Sequence, residues 1–368
     1  MPKILIHIGP PKTATTHLQR LLKLNTSILK NNSIDYLPAQ FKDYIRSYHK
    51  KKRNTSLIAD KNSLKSWFLT APETNFFNKS SNHVIISEEG IFRSAKDSKE
   101  IHQFDNFLSQ SYSERIYLIV LREINTYTTS NISQAIKGLR CFNYRNCIEE
   151  LKKYSLDRSF SGMMNTNMNL EIAKFSDFIN QTNYLTNISS VLEKTLGISR
   201  IKLEGINGVS NASLDAEGTA IHLAYNNIIQ KHLGNKSLAY LNKKIVIKTA
   251  KKFREEISNA FSKQQKFCPF SIEEQNKFMD LHLAKSQKFI DRFPGNWIDE
   301  VFTPTIRDKN ITLVSEMNLA EKEISIQILE HHIYEFLNKP CFQLNPTSLD
   351  DIKDMINLFL KQEPEIVL

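Results

Sequence analysis

The sequence has few of the residues that define disulfide-rich, metal-stapled or low-complexity proteins. Only four cysteines (141, 147, 268 and 341) occur in 368 residues, and none of them forms a CxxC pair. This spacing excludes a disulfide framework and a cysteine zinc site, and it fits a reducing compartment. Ten glycines and eleven prolines are too few for a collagen-like or disordered chain.

Long hydrophobic runs are also missing. The first apolar segment, ILIHI, follows Met1 almost at once and is too short to cross a membrane. No secretory signal peptide is recognisable. We therefore expect a cytoplasmic protein, with peripheral association at the inner membrane face as a further option.

Clustered metal ligands are not visible in the sequence. The histidines are scattered, and the one adjacent pair is His331 and His332. On a helix, neighbouring side chains point about 100° apart, which is a poor geometry for holding one ion. We expect no metal cofactor.

The charge balance favours an anionic ligand without identifying one. Lysine and arginine number 49 against 39 acidic residues, a net charge of +10. A solvated, lysine-rich surface explains this excess equally well. No recognisable nucleic-acid-binding motif accompanies it, so we expect no nucleic-acid partner.

The first half of the chain alternates short apolar runs with amphipathic stretches. The runs, which predict strands, are residues 3–8, 33–37, 83–87, 115–121 and 169–175. Nearly continuous apolar runs are typical of strands buried on both faces of a parallel sheet. The alternation predicts an α/β fold with a central parallel sheet flanked by helices.

Strand signals fade after about residue 210. Helical patterns follow at residues 213–233, 237–262, 271–292, 317–338 and 349–361. We predict a core over residues 1–215 and a mainly helical region over 216–368 packed on it. That region could be a lid, an acceptor-binding surface or a dimer surface, and the sequence leaves the oligomeric state open.

Residues 8–18 run from the first strand into a helix and carry a lysine and three hydroxyls. A helix N-terminus offers unpaired backbone N–H groups and a positive dipole end, which together bind anions. Lys12 adds a full charge and the threonines add hydroxyl donors. Simple capping of the helix is the alternative, although a cap needs only one hydroxyl.

The loop is a poor match to a nucleoside-triphosphate loop. That motif places glycine directly before the lysine, whereas Pro11 precedes Lys12 here and Gly9 is the only nearby glycine. A divergent P-loop kinase or nucleotidase is therefore an alternative, and it predicts dependence on ATP and Mg²⁺.

The stretch GPPKTATT resembles the 5′-phosphosulfate loop of sulfotransferases that use 3′-phosphoadenosine 5′-phosphosulfate (PAPS), in particular bacterial, glycan-type members. The resemblance implies a P-loop-type sheet and contacts between the loop and PAPS. The residues so implied are Gly9, Pro11, Lys12, Thr13, Ala14, Thr15 and Thr16. Ala14 stands where that family usually has glycine. Its methyl group costs little if the position is helical and interferes if the position needs a positive φ.

A second signature of the same family is an arginine at the end of a later strand with a serine eight residues on. Arg122 ends the run RIYLIVL, and Ser130 follows on the next predicted helix. The resemblance implies that both bind the 3′-phosphate, although an arginine here could also be a capping or ion-pairing residue. With softer matches at 169–178, 191–199 and 205–213, it extends over residues 3 to about 215.

Sulfuryl transfer also needs a general base beside the loop. The third strand is followed by Glu88 and Glu89, and the resemblance to Golgi glycan sulfotransferases implies a glutamate base in this region. We favour Glu89 over Glu88, with Lys12 stabilising the leaving phosphate; ordinary exposed glutamates at a helix start are the alternative. His7 is expected to be a buried histidine bonded to backbone rather than the base.

The resemblance therefore implies a PAPS-dependent sulfotransferase that releases PAP, the desulfated nucleotide. The acceptor is expected to be a hydroxyl of a glycan, glycolipid or surface polysaccharide. A nucleotide-binding protein without catalytic activity is a further alternative. The sequence does not identify the acceptor.

Overall fold

The structure is a computed structural model of the chain. It describes residues 2–10, 13–37, 82–88, 91–137, 148–149, 152, 155–179, 182–206, 215–233, 243–261, 266–303, 305, 308–310, 313–338 and 347–367. The chain forms two compact units. Unit 1 comprises Met1–Tyr127, Tyr154–Ser210 and Met279–Pro304, and unit 2 comprises Thr128–Lys153, Asn211–Phe278 and Thr305–Leu368.

Unit 1 contains a five-stranded sheet in which every strand pair is parallel. Its strands are β1 (Lys3–His7), β2 (Ile34–Tyr36), β3 (His83–Ser87), β4 (Glu114–Leu121) and β5 (Asn169–Lys174). Their order across the sheet is β2-β3-β1-β4-β5. The predictions of an α/β fold, a central parallel sheet and these five strands are confirmed.

The helices of the described residues follow in chain order. They are α1 (Thr15–Leu24), α2 (Thr26–Asn31), α3 (Ile91–Ser94), α4 (Ser98–Ser109), α5 (Ile124–Lys137), α6 (Leu156–Ser159), α7 (Ser161–Met164), α8 (Phe175–Ile179), α9 (Tyr184–Leu196), α10 (Ala216–Leu233), α11 (Lys243–Ala260), α12 (Ile272–Lys285), α13 (Gln287–Arg292), α14 (Trp297–Phe302), α15 (Leu319–Leu337) and α16 (Leu349–Val367). A short 3₁₀-helix covers Val314–Glu316.

Side chains along each strand alternate between the two faces of the sheet. Apolar side chains lie on both faces, and helices cover both. On one face, Leu5 of β1 belongs to a core with apolar residues of α1, α2 and α9. On the other face, Ile4 and Ile6 belong to a core with residues of α3, α4, α6, α7, α13 and α14. The helices that follow β1 and those that follow β3 therefore lie on opposite faces.

Unit 2 is helical around α10, α11, α15 and α16, which pack against one another. Two side chains hold the end of α5, where carbonyls lack intrahelical partners. Asn226 Nδ2 donates to Ile136 O at 2.8 Å, and Arg254 Nη1 donates to Lys137 O at 3.1 Å. No helix of the described residues combines the length and apolar character that a membrane span requires.

The units do not follow a single cut in the chain. The sequence predicts one division of the chain, between residues 215 and 216. In the structure, Met279–Pro304 belongs to the unit that holds the sheet. The residues between Tyr127 and Tyr154 belong to unit 2. Tertiary packing rather than local pattern assigns these segments.

Candidate functional site

The loop between β1 and α1 lies at the carboxyl edge of the sheet, where the chain changes the face that it covers. α1 packs on one face, while α3 and α4, which follow the neighbouring β3, pack on the other. In open α/β sheets, ligands bind in the crevice that such a change opens. The described part of the predicted anion loop, Gly9, Pro10 and residues 13–16, therefore lies where a ligand site is expected.

His7 lies directly under this loop. Its ring is buried, and Nδ1 is 2.8 Å from Ser87 Oγ on β3. The expected bond from His7 to backbone is replaced by this side-chain partner, because β1 and β3 pair in register with His7 beside Ser87. Burial lowers the pKa of His7 to about 3, so the ring is neutral at physiological pH.

Gly9 fits closely over that ring. A methyl group added to Gly9 would stand 2.7 Å from His7 Nε2 and 3.0 Å from Thr13 Oγ1. The loop can therefore follow this path only without a side chain at Gly9. Nε2 itself is buried and has no hydrogen-bond partner among the residues that the structure describes.

The three loop threonines have different surroundings. Thr13 is buried, and its hydroxyl donates to Pro10 O at 2.6 Å, which closes the loop on itself. Thr15 is also buried, and its Oγ1 has no hydrogen-bond partner within the described part of the chain. Thr16 is exposed to solvent. Thr15 thus offers a buried hydroxyl at the first residue of α1.

Ala14 caps α1 in a left-handed conformation, with φ 59° and ψ 12°. Its carbonyl accepts the first hydrogen bond of the helix, from Leu18 N at 2.9 Å. The position therefore needs a positive φ, the alternative in which the sequence analysis expects interference from the methyl group. Glycine adopts this conformation freely, whereas alanine does so at a cost of about 1–2 kcal/mol.

The end of β3 forms the other side of the crevice. Glu88 N donates to His7 O at 3.1 Å, and Gln19 Nε2 from α1 donates to Ser87 O at 2.8 Å. The side chain of Glu88 is buried. Burial, together with the negative charge of Glu88, raises the pKa of Tyr36 to about 12. A carboxylate therefore lies at the edge of the sheet beside the loop.

Arg122 follows β4 directly, and its guanidinium carbon lies 4.3 Å from the ring centroid of Phe175. Phe175 is the first residue of α8, after β5. Stacking on an aromatic ring orients the guanidinium plane. At the start of the following helix, the side chain of Glu123 accepts hydrogen bonds from Asn125 N at 2.9 Å and Thr126 N at 2.7 Å.

Ser130 lies two turns into α5 and is half-buried. The division between the two units falls inside this helix, after Tyr127, so Arg122 belongs to unit 1 and Ser130 to unit 2.

Three predicted site residues, Pro11, Lys12 and Glu89, lie outside the described residues, so their roles stay predictions. The described candidates Gly9, Thr13, Ala14, Thr15 and Thr16 follow β1, and Glu88 follows the neighbouring β3. Sequence reasoning missed Ser87, Gln19 and Phe175. The position of Phe175 directly after a predicted strand is the signal that could have identified it, because the ends of parallel strands share one edge.

Comparison with protein-family models gave no family that matches the chain, and comparison with curated proteins gave no match. Function is therefore argued from the site itself.

Proposed function

We propose that the protein is a PAPS-dependent sulfotransferase with a P-loop-type sheet, and that it transfers the sulfuryl group to a hydroxyl of a glycan, glycolipid or surface polysaccharide. The observation that carries the proposal is the position of GPPKTATT. The stretch joins the end of β1 to the start of α1 at the crevice of the sheet. The low cysteine content of the whole chain favours a reducing compartment, and we therefore propose a cytoplasmic location.

The phosphosulfate end of the donor would bind at the start of α1. Backbone N–H groups and the helix dipole favour an anion there. The buried hydroxyl of Thr15 has no described partner and can donate to a phosphate oxygen. Lys12 supplies the compensating charge.

The 3′-phosphate would bind to Arg122. His7 on β1 pairs with Leu118 on β4. Gly9 is two residues past His7 and Arg122 is four past Leu118, so the two positions follow the carboxyl ends of neighbouring strands. A ribose with phosphates at both its 5′ and 3′ positions offers one anion to each. The arrangement therefore favours a doubly phosphorylated nucleotide.

The transfer step needs a base and a stabilised leaving group. Glu89 or Glu88 takes the proton of the acceptor hydroxyl, whose oxygen forms the new bond to sulfur. The bond between sulfur and the 5′-phosphate oxygen breaks, and that oxygen keeps the electron pair. Lys12 and the N-terminus of α1 stabilise its charge, so positioning and electrostatics supply most of the catalysis.

Calorimetric titration with PAP and with ATP–Mg²⁺ tests the donor site. We expect PAP to bind more tightly than ATP–Mg²⁺. Lys12→Ala, Arg122→Ala and Thr15→Val should each weaken PAP binding about tenfold or more, because each removes a hydrogen bond to a charged group. Lys30→Ala, an exposed residue of α2, and Thr26→Val are the matched controls and should leave PAP affinity unchanged.

Preference for ATP–Mg²⁺, or an Arg122→Ala variant with unchanged PAP affinity, would contradict the proposal and favour a divergent P-loop kinase or nucleotidase. Tight PAP binding without transfer from labelled PAPS to any panel of glycan and glycolipid acceptors would instead favour a non-catalytic nucleotide-binding protein.

The base is tested separately. Once an acceptor is found, Glu88→Gln and Glu89→Gln should differ, with one variant losing turnover while both retain PAP affinity. Full activity in both variants would remove a glutamate base from the mechanism.

A further inference from the structure

Unit 2 brings three possible metal ligands together from two neighbouring helices. Glu256 lies on α11, and His331 and His332 lie on α15. One ligand atom from each of the three residues lies within 4.8 Å of the other two. In the sequence only the two histidines are neighbours, and Glu256, 76 residues before His332, completes the group.

His332 is the fixed member of this group. Its side chain is 0% exposed, and Nε2 lies 2.7 Å from Glu256 Oε2. Glu256 Oε2 can only accept, so Nε2 carries the proton of the neutral ring, and this proton has to move to Nδ1 when Nε2 binds a cation.

Glu256 and His331 can adjust around it, since their side chains are 43% and 51% exposed. Bonds of about 2.0–2.2 Å in a tetrahedral zinc site separate neighbouring ligand atoms by about 3.3 Å. Glu256 therefore has to move outward by roughly half an ångström, and His331 has to move inward by at most about 1.5 Å. Both changes are within the reach of partly exposed side chains.

The surroundings favour a cation. A second carboxylate, Glu335, has Oε1 4.0 Å from His331 Nε2 and Oε2 4.0 Å from His332 Nδ1. Lys252 Nζ lies 3.1 Å from Glu335 Oε1 and compensates one of the two carboxylates. The two carboxylates and Lys252 together carry a formal net charge of about −1. Glu335 Oε2 would have to move about 1 Å closer to Nδ1 to accept its proton, as outer carboxylates do for histidine ligands.

We propose that Glu256, His331 and His332 bind a first-row transition-metal dication such as Zn²⁺, with a fourth coordination position open to solvent. Nitrogen and oxygen donors of this kind suit Zn²⁺, and three protein ligands leave one position for water. The site is independent of the proposed sulfotransferase activity.

Titration of the full chain with Zn²⁺ against a chromophoric chelator tests this site. We expect one equivalent to bind, and His331→Ala and Glu256→Gln should each weaken its binding about tenfold or more. Both positions are partly exposed, so these variants should fold. His232→Ala, an exposed histidine on α10 of the same unit, is the matched control and should bind Zn²⁺ like the wild type.

Substitution with Co²⁺ identifies the donor atoms. The proposal predicts the visible bands of a site with nitrogen and oxygen donors, which His331→Ala should abolish. A strong thiolate charge-transfer band, equal Zn²⁺ affinity in the wild type and both variants, or no saturable binding of one equivalent would each overturn the proposal.

Discussion

Replacing Ala14 with glycine is a direct test of the loop that starts α1. Ala14 has φ 59°, and a left-handed alanine costs about 1–2 kcal/mol that glycine does not incur. Glycine also gains conformational freedom in the unfolded chain, which offsets about 0.4–1 kcal/mol. Ala14→Gly should therefore stabilise unit 1 by between about 0 and 1.6 kcal/mol, centred near 0.8 kcal/mol.

Urea unfolding followed by tryptophan fluorescence measures this change. Trp297 is buried in unit 1, and the sequence of unit 2 contains no tryptophan, so the signal reports on unit 1. Ala284→Gly is the matched control because Ala284 is exposed, lies in α12 and also belongs to unit 1. Glycine within a helix costs up to about 1 kcal/mol relative to alanine, so the control should unfold at lower urea.

The two substitutions are expected to have opposite signs, which makes the test decisive. If Ala14→Gly lowers the free energy of unfolding as Ala284→Gly does, Ala14 is helical and the argument for a strained loop is wrong. If it raises the free energy of unfolding, PAP affinity should be kept or increased, because glycine favours the same loop conformation.

Other predictions follow from contacts in each unit. Gly9→Ala should destabilise unit 1 by about 1–3 kcal/mol in urea unfolding, because the added methyl group would stand 2.7 Å from His7 Nε2. Unchanged stability would refute this packing. Burial lowers the pKa values of His7 and His222 to about 3, below the unfolded value near 6.5, so protonation favours unfolding. The contribution of these histidines to the free energy of unfolding should be complete above about pH 6.5. Between about pH 6 and 3 it should fall by about 1.4 kcal/mol per pH unit for each histidine. His7→Gln should reduce this slope when unfolding of unit 1 is followed by fluorescence. Phe175→Leu should weaken PAP binding about 3- to 10-fold, less than Arg122→Ala, because it removes only the stacking that orients the guanidinium; equal losses in calorimetry would contradict that order.

The strands could be predicted because their pattern is local. Runs such as RIYLIVL are buried on both faces, and β4 begins within one residue of its prediction. The order β2-β3-β1-β4-β5 could not be predicted in this way, because it depends on which faces the connecting helices cover. For the same reason, Met279–Pro304 could not be assigned to the unit that holds the sheet.

The candidate site was only partly predictable. The loop residues are consecutive, so the sequence indicates an anion site at Gly9 to Thr16. The Ser87 partner of His7 depends on strand register across 80 residues. The positive φ of Ala14 is a backbone conformation that its residue type does not favour. Glu256 reaches the two histidines only through the packing of α11 on α15.

The contacts of His7 also bear on where the positive charge of the proposed site comes from. A neutral histidine has one nitrogen that donates and one that accepts. If the hydroxyl of Ser87 donates to Nδ1, the proton of His7 lies on Nε2, beneath Gly9, and the loop rests on a neutral donor. The charge that compensates a bound phosphosulfate then comes from Lys12, Arg122 and the dipole of α1, and not from His7. The burial that keeps His7 uncharged therefore separates the acid sensitivity of the fold from the binding of the anion. His7 should accordingly contribute no pH dependence to PAP affinity between pH 6.5 and 8.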